Sequence, residues 1–288
     1  MARSNSHKLG ELIGNFFENA MRLPLARFAD EHGLYLDYQK ERPTRSGKKV
    51  SYYDNQNNKH DLDFVLEKNG SETVQGEPVA FIELAWRRYT KHSKNKVQEI
   101  AGAIIPLVEK YGKTVFKGCI LSGEFTAPSI RQLMSQGFSV LYFDYKEIID
   151  FFSCNGLDID FDEDTSEEEM DKKCTDLERY LKTPGNLDGL NTSFFVAFHK
   201  RIMEFTQAMA RSVERKIRVI SILPLHGECE NVADIDEAVC FLQNYNESRY
   251  LPIDMQYIEI TIKYNNGSQI EGRFRTRYEA MEFLRSRI

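Results

Sequence analysis

Asp63 and Glu83 stand in two short apolar stretches, each alternating in the way of a β-strand. In residues 61–66, Leu62, Phe64 and Leu66 fall on one face of the expected strand and Asp61 and Asp63 on the other. In residues 79–86, Phe81, Glu83 and Ala85 share one face, and Ile82, Leu84 and Trp86 share the other. Two neighbouring strands that each present a carboxylate form the nucleus of a Mg²⁺ site, since this ion takes oxygen ligands and keeps several waters. A cation so held stabilises charge at a phosphate and activates water, the two requirements of phosphodiester hydrolysis. The bland alternative is a pair of solvated strand residues, and either acid alone points to nothing.

Cations follow the second acid closely. Arg87, Arg88, Lys91, Lys94 and Lys96 occur within residues 86–96, which hold no acid, and suit phosphate neutralisation as well as they suit a solvated helix start. A second basic run, residues 39–49, carries Lys40, Arg42, Arg45, Lys48 and Lys49 against Glu41 alone. It opens a turn-rich stretch, 41–59, expected to be an exposed loop with one option of facing DNA. Glu18 or Glu11 from the first helix, and Gln98 or Glu99 after the basic run, could extend a metal shell, although a surface role is the simpler reading of each. His60 and His92 flank the acids without a spacing that singles either out. Near the C-terminus, Arg273, Arg275 and Arg277 alternate along an expected strand and would share a face able to reach a groove or a protein.

The elements that must position these groups follow from periodicity. Leu9, Ile13, Phe16, Phe17 and Ala20 mark a helix over residues 7–32 that Pro24 should kink or split. A strand at 33–39 and the two acid-bearing strands come next. Then follow a helix over 91–110 with its stripe at Val97, Ile100, Ala101, Ile104, Leu107 and Val108, a strand at 115–121, a helix at 127–136, a strand at 138–143 and a helix at 146–152. Beyond residue 155 the expectations are helices at 166–181 and from about 189 to 216, a strand at 217–223, a helix at 234–244, a hairpin over 257–274 turning at Asn266 and Gly267, and a helix at 276–287. No internal repeat is evident.

The elements from residue 7 to 143, with Asp63 followed by Glu83-Leu84-Ala85, resemble the PD-(D/E)XK nuclease superfamily in the manner of type II restriction endonucleases. The resemblance implies an α/β restriction-endonuclease-like core, a mixed central sheet flanked by helices, over residues 1–154. Residues 155–288 would then form a helical and α+β region for DNA recognition, dimerisation or both. It further implies that Asp63, Glu83 and the Leu84 carbonyl hold Mg²⁺, and that the chain cuts double-stranded DNA as a homodimer reading a palindrome. The family's Pro before the Asp is absent, which leaves Asp61 beside Asp63; Asp63 is preferred because it directly precedes the 64–66 apolar run. The family's lysine two residues after the Glu is replaced by Ala85, which cannot donate a hydrogen bond. Three explanations stand open: a Lys-to-Ala change introduced to trap substrate, a lysine supplied by Lys91, Lys94 or Lys96, or a natural pseudonuclease. Two rival functions keep the fold: a low-specificity defence or repair nuclease, and a DNA-binding protein without catalysis.

The net charge of -6 does not exclude DNA, because acid is concentrated in residues 158–171, where nine of fourteen positions are Asp or Glu. Five widely spaced cysteines without a CxxC pair suggest reduced thiols rather than a disulfide framework or zinc site. The absence of a long apolar run makes a cytoplasmic protein, with no membrane partner, the expectation. A small-molecule enzyme fits poorly, since there is no glycine-rich phosphate loop, nucleophile elbow or Cys/His cluster.

Overall fold

The computed structural model describes residues 4–112, 114–214, 216–225, 227–246, 255–265 and 267–286, with every side chain among them except that of His92. The chain forms two compact units, Met1–Ala210 and Arg211–Ile288, so the division falls well beyond the boundary at 154 expected from sequence.

The first unit begins with α1, Asn5–Glu31, whose buried face carries Leu9, Ile13, Phe16, Phe17 and Met21 at the expected helical spacing. The helix continues unbroken through Pro24, and Gly33, at φ +63°, provides the left-handed residue that ends it. Five strands follow: β1 (Leu34–Tyr38), β2 (Val50–Tyr53), β3 (Lys59–Leu62), β4 (Phe64–Lys68) and β5 (Glu77–Arg87). Then come α2 (Ser93–Tyr111), β6 (Phe116–Gly123), α3 (Ala127–Ser135), β7 (Ser139–Asp144), α4 (Tyr145–Cys154), α5 (Glu167–Lys182) and α6 (Asn186–Val213).

The central sheet runs in the order β1-β4-β5-β6-β7, antiparallel from β1 to β5 and parallel from β5 to β7. This is the expected mixed α/β sheet. β2 and β3 pair as a separate hairpin, with β2 inside the stretch expected to be loop and β3 running from the end of that stretch into the strand expected at 61–66. Val50, Tyr52 and Leu62 on its inner face join α2 and α3 in an apolar layer on one side of the sheet, with Val97, Ile104 and Leu133 among its members. On the other side Phe17 lies 6.2 Å from Trp86, and Phe143 lies 5.0 Å from both Phe194 and Phe198 of α6. Phe116 likewise meets Phe205 at 5.5 Å. These aromatic contacts keep α6 in the first unit and explain why its boundary lies after α4 and α5.

Arg42 and Arg45 do not face solvent as the basic run suggested. Arg42 is buried, donating to Asp37 at 2.7 Å, to both Glu67 oxygens at 2.9 and 2.8 Å, and to the carbonyls of Ser71 and Val74. Tyr52 and the Gly76 N–H complete the donors around Glu67. Arg45 closes the loop on Asp37 and on the carbonyls of Tyr38, Lys40 and Lys48. Two buried carboxylates need that cation, because an ionised group without a partner in an apolar interior is strongly disfavoured.

The second unit contains β8 (Ile217–Pro224), β9 (Glu230–Val232), α7 (Ile235–Asn244), β10 (Ile258–Tyr264), β11 (Gln269–Phe274) and α8 (Arg277–Arg285). Its antiparallel sheet has the order β11-β10-β8-β9. It is therefore two hairpin-and-helix halves in sequence, a structural repeat that the amino-acid sequence does not make evident. Its trace is Glu237-Ala238 with Phe241-Leu242 in α7 and Glu279-Ala280 with Phe283-Leu284 in α8, with Ala238, Leu242, Ala280 and Leu284 fully buried. Within the expected hairpin turn, Asn266 lies outside the described residues. Among the described residues no helix is long and apolar enough to cross a membrane, and all five cysteines are free thiols.

Replacing Arg42 with Met should cost about 3–5 kcal/mol, since Glu67 and Asp37 would remain buried without their cation. Urea unfolding with an unchanged m-value checks this, and a loss below about 1 kcal/mol would contradict the network's role.

Candidate active site

β4 and β5 run antiparallel with Phe64 opposite Ile82, Val65 opposite Phe81 and Leu66 opposite Ala80. One step beyond Phe64 and Ile82, the same register sets Asp63 opposite Glu83. There the strands part: Asp63 is the joint between β3, which pairs with β2, and β4, which enters the sheet. The joint also inverts the alternation. Leu62 and Val65 belong to the layer beneath α2, whereas Phe64 borders a depression along α1, so the single 61–66 strand face expected from sequence is broken at Asp63.

The parting is held by a bond from the Leu84 N–H to Asp63 Oδ2 at 2.7 Å. In an antiparallel strand the N–H and C=O of one residue point the same way. The Leu84 carbonyl accordingly faces the gap where β4 has left. On the other side, β6 pairs in parallel and sets Cys119 level with Glu83. β5 and β6 stay together to Arg87 opposite Gly123, where a Cβ would come within 2.1 Å of the Arg87 carbonyl and the φ of +94° independently favours glycine.

Electrostatics mark the same spot. Glu83 is buried, and burial first, then the charge of Asp63, push its carboxyl up to about 8; Lys96 and the Asp63 N–H oppose the shift. Burial likewise raises Asp63 against the Leu84 bond and Lys96. Glu18 of α1 is pushed up to about 7 by burial and by Asp63. Cys119, fully buried, is raised well above the ordinary thiol value. These acids cannot all be ionised together without a cation near them. Lys96, with a side chain 19% exposed, is the lysine whose charge acts on Asp63 and Glu83, and its ammonium also lies 3.7 Å from Glu99.

The donor set suits a hard divalent ion. It consists of two carboxylates and a carbonyl facing the same gap, while Glu18 of α1 acts on Asp63 by charge without joining them as a third ligand. Among the described residues, no group of three or more His, Cys, Asp or Glu side chains is gathered tightly enough to hold a metal alone. Mg²⁺ places no such demand, because water completes its shell.

The other sequence-derived candidates divide sharply. Ala85 is buried in the apolar layer with Phe81, Val97 and Leu121, on the Glu83 side of β5. Gln98 and Glu99 are exposed on α2. Lys91 is exposed and pairs loosely with Glu163 at 3.4 Å, and Lys94 is exposed. Arg87 is half-buried and its guanidinium donates to the Trp86 carbonyl at 2.8 Å. Arg88 is not free to meet phosphate: it donates to the Phe161 carbonyl at 2.5 Å and lies over Tyr145 at 4.0 Å. His60 bonds to Asp54 at 3.2 Å. Of the C-terminal arginines, Arg273 pairs with Glu259 at 2.8 Å and Arg275 is exposed. Arg277 leaves their shared face, because Thr276 and Glu279 form a capping box that ends the strand and starts α8. Its guanidinium instead meets the carbonyls of Leu242, Gln243 and Tyr245 at the end of α7.

Sequence reasoning missed the depression of about 120 Å³ bordered by Glu18, Asn19, Arg22, Tyr38, Gln39, Asp63 and Phe64. Its signal was the spacing of Glu18 and Arg22, one helical turn apart on the polar side of α1. Cys119 left no signal, being one apolar position among several on β6.

No family model matches the chain, and no curated protein is similar to it. One solved structure, described as a protein of unknown function, aligns with 68% of this chain and 98% of its own at 13% identity and a TM-score of 0.30. A likeness that shallow carries no argument about fold or activity.

The raised acids make stability pH-dependent. Folded Glu83 keeps its proton to about pH 8, whereas a glutamate of ordinary 4.5 loses it earlier in the unfolded chain, so stability present below 4.5 is lost as pH rises toward 8. Glu83→Gln should therefore gain on the order of 1–3 kcal/mol over the parent at pH 8 in chelator, and nothing near pH 4.5. Urea unfolding across that range checks it; a variant less stable at pH 8 than the parent contradicts the burial of a neutral acid.

Proposed function

We propose that the chain is a Mg²⁺-dependent endodeoxyribonuclease acting on double-stranded DNA, with Asp63, Glu83 and the Leu84 carbonyl as the metal-binding set. The observation that carries this reading is the level placement of half-buried Asp63 and buried Glu83 where β4 parts from β5. Bound there, the ion would supply Lewis acidity at the phosphate and a more acidic water. The remaining work falls to the chain's own groups. Burial shields Glu83 from bulk water, Asp63 borders the depression along α1, and the Leu84 N–H holds the Asp63 carboxyl in one orientation.

Lys96 takes the part that Ala85 cannot. Its ammonium acts on both acids from α2, so it is placed to hold the attacking water and stabilise the charge that develops as a proton leaves it. That favours a lysine supplied from the neighbouring helix over an incomplete site. Lys91 and Lys94 extend the positive start of this helix and would meet backbone phosphate. A homodimer on a palindromic sequence belongs to the same proposal. A second reading, a DNA-binding protein without catalysis, is favoured by one observation: Ala85 is sealed among apolar neighbours.

Cleavage of mixed-sequence duplex should appear with Mg²⁺ and vanish with chelator. Asp63→Asn and Glu83→Gln should each lose about 10³-fold or more, and Lys96→Met about 10²-fold. Activity that appears only in Ala85→Lys would assign the missing lysine to position 85 and remove Lys96 from the role. If none of these proteins cuts under any divalent ion, the catalytic reading fails and metal-independent DNA binding replaces it.

A further inference from the structure

The outer face of the β2–β3 hairpin carries a polar cavity of about 250 Å³, bordered by Arg42, Arg45, Lys49, Ser51, Tyr53 and Lys59, with Thr44, Ser46 and Gln75 at its rim. The hairpin register explains how it assembles. Val50, Tyr52 and Leu62 point inward to the core, so Lys49, Ser51, Tyr53, Lys59 and Asp61 share the opposite face. The same register, one step past Val50 opposite Leu62, sets Lys49 opposite Asp63. The cavity thus lies along the strand that ends at the proposed metal site, with Lys59 roughly 13 Å up the strand from Asp63 at about 3.3 Å per residue.

Its charges do not cancel. Lys49 at 2.8 Å and Lys59 at 3.3 Å share the single carboxylate of Asp61, which Ser51 also approaches at 2.7 Å. Behind them Arg42 and Arg45 face Asp37 and Glu67, so four cations meet three carboxylates. Arg42, whose side chain is 1% exposed, and Arg45 each keep an Nε donor without a hydrogen-bond partner, and the Asp37 Oδ1 acceptor is left over beside them. Buried donors normally find partners.

We propose that this cavity is a phosphate-binding site that seats a DNA backbone phosphate next to the cleavage centre, with Lys49 and Lys59 swinging from Asp61 to the anion. The shared chemistry is a phosphate group; its assignment to duplex backbone rests on the nuclease reading. That separation exceeds the rise of one nucleotide along the duplex, about 3.4 Å, so a phosphate held at Lys59 is a flanking one and not the one being cleaved. One cleft can therefore hold the reacting phosphate and a flanking one together.

The test uses the intact chain and the Lys49→Gln/Lys59→Gln variant, both substitutions falling on side chains more than half exposed. Binding of labelled mixed-sequence duplex is measured in chelator over a range of salt, alongside amide shifts on titration with inorganic phosphate. The expected result is a roughly 5- to 20-fold weaker Kd at low salt, a log Kd against log salt slope smaller by about one to two, and phosphate-induced shifts near residues 49–61 that the variant lacks. Unchanged duplex affinity and slope overturn the site as a DNA contact. If the parent binds no duplex but phosphate still shifts these residues, the pocket takes a free phosphate ligand, and both the backbone assignment and the nuclease reading fall. No response to either probe overturns the proposal outright.

Discussion

Two carboxylates whose pKa values are both raised by burial are held at one level of a sheet, and the rest of the first unit is arranged around that constraint. The antiparallel register of β4 on β5 sets Asp63 opposite Glu83, and the departure of β4 at that very residue opens the sheet between them. α1 brings Glu18 to the same gap, and α2 brings Lys96. A pair of this kind, one carboxylate buried and the other half-buried, is costly for folding in the absence of a cation. That pair, with a backbone N–H committed to orienting Asp63, is the feature on which the proposed metal-assisted chemistry rests.

The same logic sorts the basic residues, and runs of charge in the sequence do not reveal it. Arg42 and Arg45 sit within a run that also holds Lys48 and Lys49, yet the arginines turn inward to Asp37 and Glu67 while the lysines stay at the surface. Arg88 sits in the run after Glu83 but is held by Tyr145 and the Phe161 carbonyl, whereas Lys91 and Lys94 face outward. In each case the partner is distant in sequence, and guanidinium, with its planar fork of donors, is the group that satisfies several buried acceptors at once. An acidic chain thereby keeps a cationic margin along β2, β3 and the start of α2.

Much of the fold was legible because periodicity is local. The α2 stripe from Val97 to Val108, the parallel strands β6 and β7 and the C-terminal hairpin follow the expected pattern closely. Three features were hidden by physics that acts at long range. β2 and β3 lie in a polar stretch and become a hairpin because Val50, Tyr52 and Leu62 find α2 to pack against. The boundary at 154 failed because Phe194, Phe198 and Phe205 bind α6 to the sheet, a pairing no window of sequence contains. Asp63 and Glu83 were visible as types on strands, but Lys96 as their neighbour required the packing of α2 over β5, and the inversion of alternation at Asp63 has no sequence signature.

Isothermal titration of Mg²⁺, or of Mn²⁺ as a tighter probe, into the intact chain at pH 7 in two buffers of different protonation enthalpy addresses the carboxylate pair directly. Because Glu83 is still largely protonated there, the account predicts one saturable binding event that releases close to one proton per ion, lost in Asp63→Asn. Saturable binding that releases no proton and survives in Asp63→Asn would place the cation elsewhere, and no saturable binding at all would remove the metal centre from the account.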